Sequence, residues 1–393
     1  MTFSQLLLDR LPNSPYGSEP LANLLYSQEL QLKNQAFAEL WAQAKLEGRP
    51  EAITPAPMPR KYRTTTKRRV VYNEQRGLSL DFADRGAPGT CAFSNLEPDN
   101  HNSLYEYLFD RLSTPAYVAL ARALNWIIIR GGYTSHCVIL NVSKLDATVV
   151  RKAKQLTEKL PELNFGVTSA MIYFDPTRSD YYLEAERPDD GLDAKHLFGP
   201  RLLTLAVEDL KLKYPPTVFS QVNEAMVPLM VQTAREMLDV KSSDRLLDLY
   251  CGYGLFSFAL GRKAKEVLGV ELEGASIATA KDSVRFLGLG SKFRFVSARI
   301  TGEMLVMSLP PVSPTLTEVI LLDPPRQGAD PGVIKVLAQR KPRRVLQICC
   351  GTDEIAPAVR DWVASGYKVD RICPLDLFAG TANLETLISF VPR

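Results

Sequence analysis

Between Pro20 and Glu47 the apolar positions Leu21, Leu24, Leu25, Phe37, Leu40 and Trp41 fall largely at helical spacing, which predicts one helix over 20–47. Gly48 and Pro50 stop it, and "EGRPEAITPAPMPR" over 47–60 reads as a proline-rich connector. The period then changes. "KYRTTTKRRVVY" from Lys61 is β-branched and reads as a strand, and "NWIIIRGGYTSHCVILNV" from Asn125 as two strands joined by a Gly-Gly turn. "TVVRKAKQLTEKL" from Thr148 reads as a helix, and "RPDDGLDAKHLFGP" from Arg187 as a loop.

From residue 216 onward strands and helices alternate. Val227, Met230, Val231, Ala234, Met237 and Leu238 share one helical face, and strand candidates begin at 245, 266, 293, 318, 344, 367 and 384. This alternation predicts an α/β fold whose C-terminal part is a parallel, doubly wound sheet with right-handed connections, preceded by a mixed α/β region. The expected divisions are a helical segment and linker over 1–54, a mixed α/β domain over 55–215, and the doubly wound domain over 216–393.

Composition narrows the class. At 393 residues, 46% hydrophobic and 23% charged, the chain is an ordinary globular one, and it contains no apolar run of eighteen residues, so no membrane span or membrane partner is expected. Asp9 and Arg10 interrupt the first residues, against a secretory signal, and Asp9, Glu19 and Glu29 argue against an organelle import segment. The six cysteines (91, 137, 251, 349, 350 and 373) lack C-x-x-C spacing, and the histidines at 101, 136 and 196 are scattered. A disulfide framework and a metal site are both disfavoured, and a reduced, cytoplasmic protein is expected. The net charge of +3 does not announce a nucleic-acid partner. Yet Arg60, Lys61, Arg63, Lys67, Arg68 and Arg69 crowd ten positions, which fits either a solvated strand or a face that tracks phosphates.

Candidate chemistry gathers at predicted strand ends. "LLDLYCGYGLFSFAL" leads a strand through Gly252 and Gly254 into a helix, with Ser257 where a dinucleotide fingerprint needs a third glycine. Glu271 closes the next strand, placed to accept from ribose hydroxyls. Together these fit a nucleoside ligand without a pyrophosphate, such as S-adenosylmethionine, although a dinucleotide stays open. Asp323-Pro324-Pro325 makes a rigid turn at another strand end, and Arg326 stands where amine methylases carry a stacking aromatic. Cys349 and Cys350 end the next strand, and Glu385 begins the last. A thiolate adding to C6 of uracil makes C5 nucleophilic, and a carboxylate must then remove the C5 proton before the thiolate can leave.

With these motifs in order, the chain resembles the RNA 5-methyluridine (uracil-C5) methyltransferases, especially the bacterial-type tRNA enzyme. "FSQVN", "LYCGYG", "DPPRQG", "ICCG" and "DLFAGTANLET" stand where that family has its Phe-x-Gln-x-Asn, donor-loop, Asp-Pro-Pro-Arg-x-Gly, Ser-Cys-Asn-Pro and Asp-x-Phe-Pro…Glu segments. The resemblance implies a Rossmann-like methyltransferase sheet and an N-terminal RNA-binding region. It implies S-adenosylmethionine as the methyl donor, and RNA, foremost tRNA, as the partner. Gln221, Tyr250, Glu271 and Asp323, with the Gly252 and Gly254 loop, would line the donor site. Cys350 would be the nucleophile, Glu385 the proton-abstracting base, and Cys349 a small neighbour at the family's serine position.

The chain departs from that pattern at Leu255, Arg299, Gly351, Thr352, Ala379, Gly380 and Asn383. These changes motivate a rival reading, an RNA-binding or assembly protein that keeps the fold without the chemistry; methylation of a different atom is a third. The family's cysteine-rich iron–sulfur segment and a clear oligonucleotide-binding barrel are not seen, which favours the tRNA-type over the ribosomal reading. Cys91, Cys137, Cys251 and Cys373 read as structural, Asp248 as a loop-orienting acid, the three histidines as surface or satisfied, and "QRKPRR" at 339–344 as solvated.

Overall fold

A computed structural model describes residues 1–11, 19–82, 89–178, 194–272 and 274–393. Two compact units emerge: residues 60–205 with 213–218, and residues 1–59 with 206–212 and 219–393. Helices α1 (Phe3–Leu8) and α2 (Tyr26–Gln43) thus belong to the unit that carries the second half of the chain. α2 is shorter than expected because residues 20–25 form turns, and α1 lies ahead of any helix the sequence pattern suggested.

The first-named unit is built on a six-stranded sheet of order β2-β1-β3-β4-β5-β6. Its strands are β1 (Thr65–Asn73), β2 (Gly77–Asp81), β3 (Leu124–Gly131), β4 (His136–Val142), β5 (Val167–Phe174) and β6 (Ala194–Phe198). Three helices, α3 (Asp99–Leu112), α4 (Val118–Ala123) and α5 (Ala147–Thr157), pack with it around a core that includes Leu104, Leu108, Leu120, Ile127, Ile129 and Leu140. β4 and β5 are parallel, with α5 as the crossover, and the other pairs are antiparallel. The loop expected at 187–200 is corrected at Ala194–Phe198, where β6 pairs with β5; its first part lies outside the described residues.

β1 alternates half-buried and buried positions, and this corrects the reading of the basic run. Arg68 points inward and is fully buried, donating to both carboxylate oxygens of Glu97 at 2.8 and 2.7 Å, so it cannot serve phosphates. Its neighbours Lys67 and Arg69 lie on the opposite face, over the Trp126 ring at 4.5 and 5.0 Å. A second correction concerns the histidines. His101 and His136 are buried, their rings 4.7 Å apart edge to face, and burial lowers the pKa of both.

A two-stranded pair, β7 (Leu203–Val207) and β8 (Leu210–Tyr214), precedes the larger sheet. That sheet has seven strands in the order β11-β10-β9-β12-β13-β15-β14. They are β9 (Asp244–Leu249), β10 (Glu266–Glu271), β11 (Phe293–Ser297), β12 (Thr317–Leu322), β13 (Arg344–Cys349), β14 (Tyr367–Leu375) and β15 (Glu385–Pro392). Between them run α6 (Val227–Leu238), α7 (Leu255–Leu260), α8 (Gly274–Phe286), α9 (Gly302–Ser308), α10 (Val333–Gln339) and α11 (Thr352–Ala364). The six apolar residues predicted to share a face of α6 are all buried.

The sheet is not wholly parallel. β15 runs antiparallel to both β13 and β14. A parallel partner needs a crossover of about a dozen residues or more, whereas the helix-free link over 376–384 is shorter and permits only a reversal. The reversal has a functional consequence: the first residue of β15, Glu385, lies at the edge where the parallel strands end.

The proline-rich segment is also more ordered than a connector. Glu51 and Thr54 donate backbone N–H groups to Ile372 and Pro374 at 3.0 and 2.9 Å, and Asp376 returns one to Thr54 at 3.0 Å, so the segment covers the free edge of β14. The basic run at 339–344 is corrected likewise. Arg340 bonds Glu318 at 2.6 Å, Arg343 bonds Asp244 at 2.6 Å and Arg344 bonds Asp370 at 2.6 Å, making it a network of ion pairs rather than a free solvated stretch.

Candidate active site

Five segments meet at the carboxyl edge of the seven-stranded sheet, beside the point between β9 and β12 where strand order reverses, the position at which open α/β sheets bind ligands. After β9, Tyr250 takes the left-handed conformation (φ 62°), and Gly252 and Gly254 follow at φ 53° and 93°. The two glycines serve different ends. A Cβ on Gly254 would stand 2.6 Å from the Phe258 ring, so that glycine allows α7 to pack closely. Nothing lies within 4 Å of the corresponding point on Gly252, which leaves backbone open to a ligand.

Glu271 holds this loop. Its Oε2 accepts the Gly252 N–H at 3.0 Å and its Oε1 accepts the Leu272 N–H at 2.7 Å. Asp248 orients the next helix, accepting from Ser257 Oγ at 2.5 Å, and burial pushes its carboxyl up to about 7. Burial together with the Asp330 charge raises the Tyr250 phenol to about 12. Leu255 is buried and contributes packing, while Arg299 is exposed.

Asp323 follows β12, paired through its N–H with Leu249 O at 3.3 Å, and the chain turns at Pro324-Pro325 with Gly328 N–H closing on Pro325 O at 2.7 Å. Cys350 follows β13, half-buried, its thiol donating to Pro324 O at 3.9 Å. In the sheet register Cys349 faces Thr386, which puts Glu385 and Cys350 one residue beyond that pair on the same edge. Cys349 is fully buried, while Cys350 retains an exposed surface.

Acids outnumber cations at this edge. Burial first, then Glu385, Glu354 and Asp323, push the Cys350 thiol well above its ordinary range, and only Arg326 opposes them. Burial and the neighbouring acids raise Asp323 to about 8 and Glu385 well above the usual carboxyl range. A site that concentrates acids out of water in this way is suited to a cationic ligand. The open backbone at Gly252, the Glu271 carboxylate at the end of β10 and the cluster of acids together fit a nucleoside that carries a sulfonium.

Gln221 is half-buried in the segment before α6. Asn223, two residues on, donates from Nδ2 to Leu377 O at 2.9 Å and ties that segment to the loop leading into β15. This loop is held from below by α2. Lys33 Nζ reaches Asp376 at 2.6 Å and Glu29 at 2.7 Å, Tyr26 donates to Asp376 at 3.0 Å, and Gly380 N–H donates to Glu29 at 2.5 Å. The loop is thus anchored although Ala379 and Gly380 depart from the family pattern there.

Sequence reasoning missed Glu29 and Lys33, which resemble a solvated i,i+4 pair, and it missed Glu354. At Glu354 a signal was available. An acid three residues after Gly351, at the start of a helix, is a capping arrangement, and Glu354 Oε1 accepts the Gly351 N–H at 2.9 Å. Gly351 and Thr352, standing in place of Asn-Pro, are thus a helix start of another design.

The strand order with a reversed β15 and the loop after β9 define a Rossmann-like methyltransferase fold. The Pyrococcus abyssi tRNA (uracil-54, C5)-methyltransferase, solved with S-adenosyl-L-homocysteine, superposes with a TM-score of 0.71 at 18% identity, over 95% of this chain and 85% of that one. The family model for tRNA (uracil-5-)-methyltransferases matches residues 197–305. The 23S rRNA (uracil(1939)-C(5))-methyltransferase of Aeromonas hydrophila is 34% identical over 222 residues, 56% of this chain and 48% of that protein. Its counterpart in Marinomonas sp. is 36% identical over 183 residues, 46% of this chain and 40% of that protein. Over these residues the chain is similar to RNA (uracil-C5) methyltransferases. It spans about half the length of the curated relatives it matches.

Proposed function

We propose that the protein methylates C5 of a uridine in RNA, using S-adenosylmethionine. The observation that carries this reading is the meeting of Cys350, Glu385 and Asp323 at one sheet edge, one residue beyond the Cys349–Thr386 register pair. The donor, when bound, supplies an electrophilic methyl group on a sulfonium. Gly252, Tyr250, Glu271 and Gln221 would hold it, with Asp323 between donor and base. Cys350 adds through sulfur to C6, and the C5–C6 electron pair moves toward C5 and O4. With the methyl group on C5 and the donor's sulfur left as a neutral thioether, Glu385 would take the C5 proton, the C5–C6 double bond re-forms and the C6–S bond breaks with its pair returning to sulfur. A uridine must leave its stack for this geometry, and Lys67 and Arg69 supply phosphate contacts.

The choice of RNA is part of the proposal. The family model and the superposed structure carry tRNA in their names, and the relatives from Aeromonas and Marinomonas carry 23S rRNA. We take tRNA as the substrate to test first, in a reduced cytoplasmic setting. Among the described residues no helix is long and apolar enough to cross a membrane.

The test is adduct trapping. Protein, S-adenosylmethionine and RNA carrying 5-fluorouridine are combined, as a tRNA T-arm and as a 23S rRNA fragment in parallel. Fluorine cannot leave as a proton, so a methylated adduct accumulates on Cys350. The expected result is an adduct lost in Cys350→Ala and kept in Cys349→Ala. With ordinary uridine, Glu385→Gln should accumulate the same adduct. RNA binding without any adduct on either RNA would overturn the reading in favour of an RNA-binding protein without the chemistry.

A further inference from the structure

One buried acid at this edge has no part in the scheme above. Glu354 is 5% exposed, and its Oε1 caps α11 through the Gly351 N–H. Its Oε2 is buried without a hydrogen-bond partner. That oxygen lies 3.7 Å from the point a Cβ on Gly328 would occupy, which sets it against the turn formed by Asp323–Gly328. Capping accounts for one oxygen only, and a buried second oxygen left unpaired is costly unless it has other work. Cys349 and Cys350 from the end of β13, Asp323 and Arg326 from the turn after β12, and Glu385 from β15 share its surroundings.

Resting on the uridine reading, we propose that Glu354 is the base that takes the Cys350 thiol proton and gives it back when the sulfur leaves. In the forward step the S–H bond breaks and the proton passes to the Glu354 carboxylate. The sulfur electron pair forms the C6–S bond, and the C5–C6 pair becomes the enolate. On elimination the C6–S bond breaks, its pair returns to sulfur, and the carboxylic acid reprotonates it. Both protonation states of Glu354 are accessible near neutrality, because burial raises its carboxyl to about 7 while the Gly351 N–H favours the charged form. The thiol itself is held high, so it needs a local acceptor to react.

Alkylation of the full-length protein by iodoacetamide tests this without RNA. Peptide mass spectrometry reads Cys350 separately from Cys349 between about pH 5.5 and 9. Glu354→Gln keeps an oxygen for the cap and removes the base. The expected result is alkylation of Cys350 slowed about ten-fold or more at pH 8, with the inflection near pH 7 lost. An acid acting only as a neighbouring charge gives the opposite sign, since removing it eases thiolate formation. Equal or faster alkylation in Glu354→Gln therefore overturns the proposal. So does a wild-type rate that climbs to pH 9 with no inflection near 7, a result that needs no variant. Slowed alkylation in a protein that never forms the fluorouridine adduct keeps the proton transfer and removes the uridine reading.

Discussion

Replacing Lys33 by methionine isolates the charge that anchors the loop before Glu385. Lys33, Glu29 and Asp376 are fully buried, with Lys33 Nζ 2.7 Å from one carboxylate and 2.6 Å from the other. Removing one partner of a buried ion pair costs about 3–5 kcal/mol. Methionine keeps most of the side-chain volume, so little of that loss is cavity. The pH dependence separates charge from packing. Burial already raises the Asp376 carboxyl and Lys33 lowers it, so the variant raises it further above its unfolded value. The penalty is full above that folded pKa and shrinks as pH falls from it toward the unfolded value, so wild type and variant should draw together in acid and meet at about pH 4. Urea unfolding in a Trp126→Phe background measures this, because Trp41 and Trp362 then report from the unit that holds Lys33. A loss under about 1 kcal/mol, the range of an exposed pair, or a loss unchanged with pH would refute the reasoning.

Gly254→Ala should destabilise by about 2–5 kcal/mol in thermal melts, from the left-handed backbone and the 2.6 Å approach to Phe258. Gly252→Ala should cost about 1–2 kcal/mol of stability and weaken S-adenosylhomocysteine binding by calorimetry, since its side chain enters open space. In RNA binding, Lys67→Ala and Arg69→Ala should each lower the slope of log K against log salt by about 0.7–0.9, whereas Arg68→Met should leave the slope and lose about 3–5 kcal/mol of stability. Asp248, Asp323 and Glu354 have folded pKa values raised to about 7, 8 and 7, so the stability they contribute is complete below about pH 4 and is lost as pH rises through 7–8. The melting temperature of the ligand-free protein should accordingly fall from pH 6 to pH 8.5, and a flat or rising profile would count against the acidic cluster.

Local pattern was enough for much of the fold. The alternation after residue 216 corresponds strand for strand to β9–β15, because each strand and helix there buries an apolar face of its own. The reversal of β15 was not legible, since direction is set by the length of the link before it and not by its apolar pattern. Arg68 was misread for a related reason. Sequence shows six cations in ten positions, while inward or outward direction depends on strand register, and Glu97 waits 29 positions away to neutralise it. Of the candidate site, the motif order placed Cys350, Glu385, Asp323 and Glu271 at strand ends, where the structure has them. Glu354 escaped because a helix-capping acid and an acid facing a thiol look alike until the strand beside them is positioned.

The anchoring of the Glu385 loop by α2 also sets an order of events in time. Lys33 and Asp376 are 343 positions apart, and Glu29 and Gly380 are 351 apart. At a synthesis rate of about 5–20 residues per second, roughly 17–70 s separate the appearance of the first partner from that of the second. Through that interval α2 carries Phe37, Trp41 and the Lys33 ammonium with the last two strands still unmade. The loop that delivers Glu385 to Cys350 can take its shape only once both ends of this long span are available. Assembly of the acid cluster around the reactive thiol therefore comes late, and an early helix is held in readiness for a strand made much later.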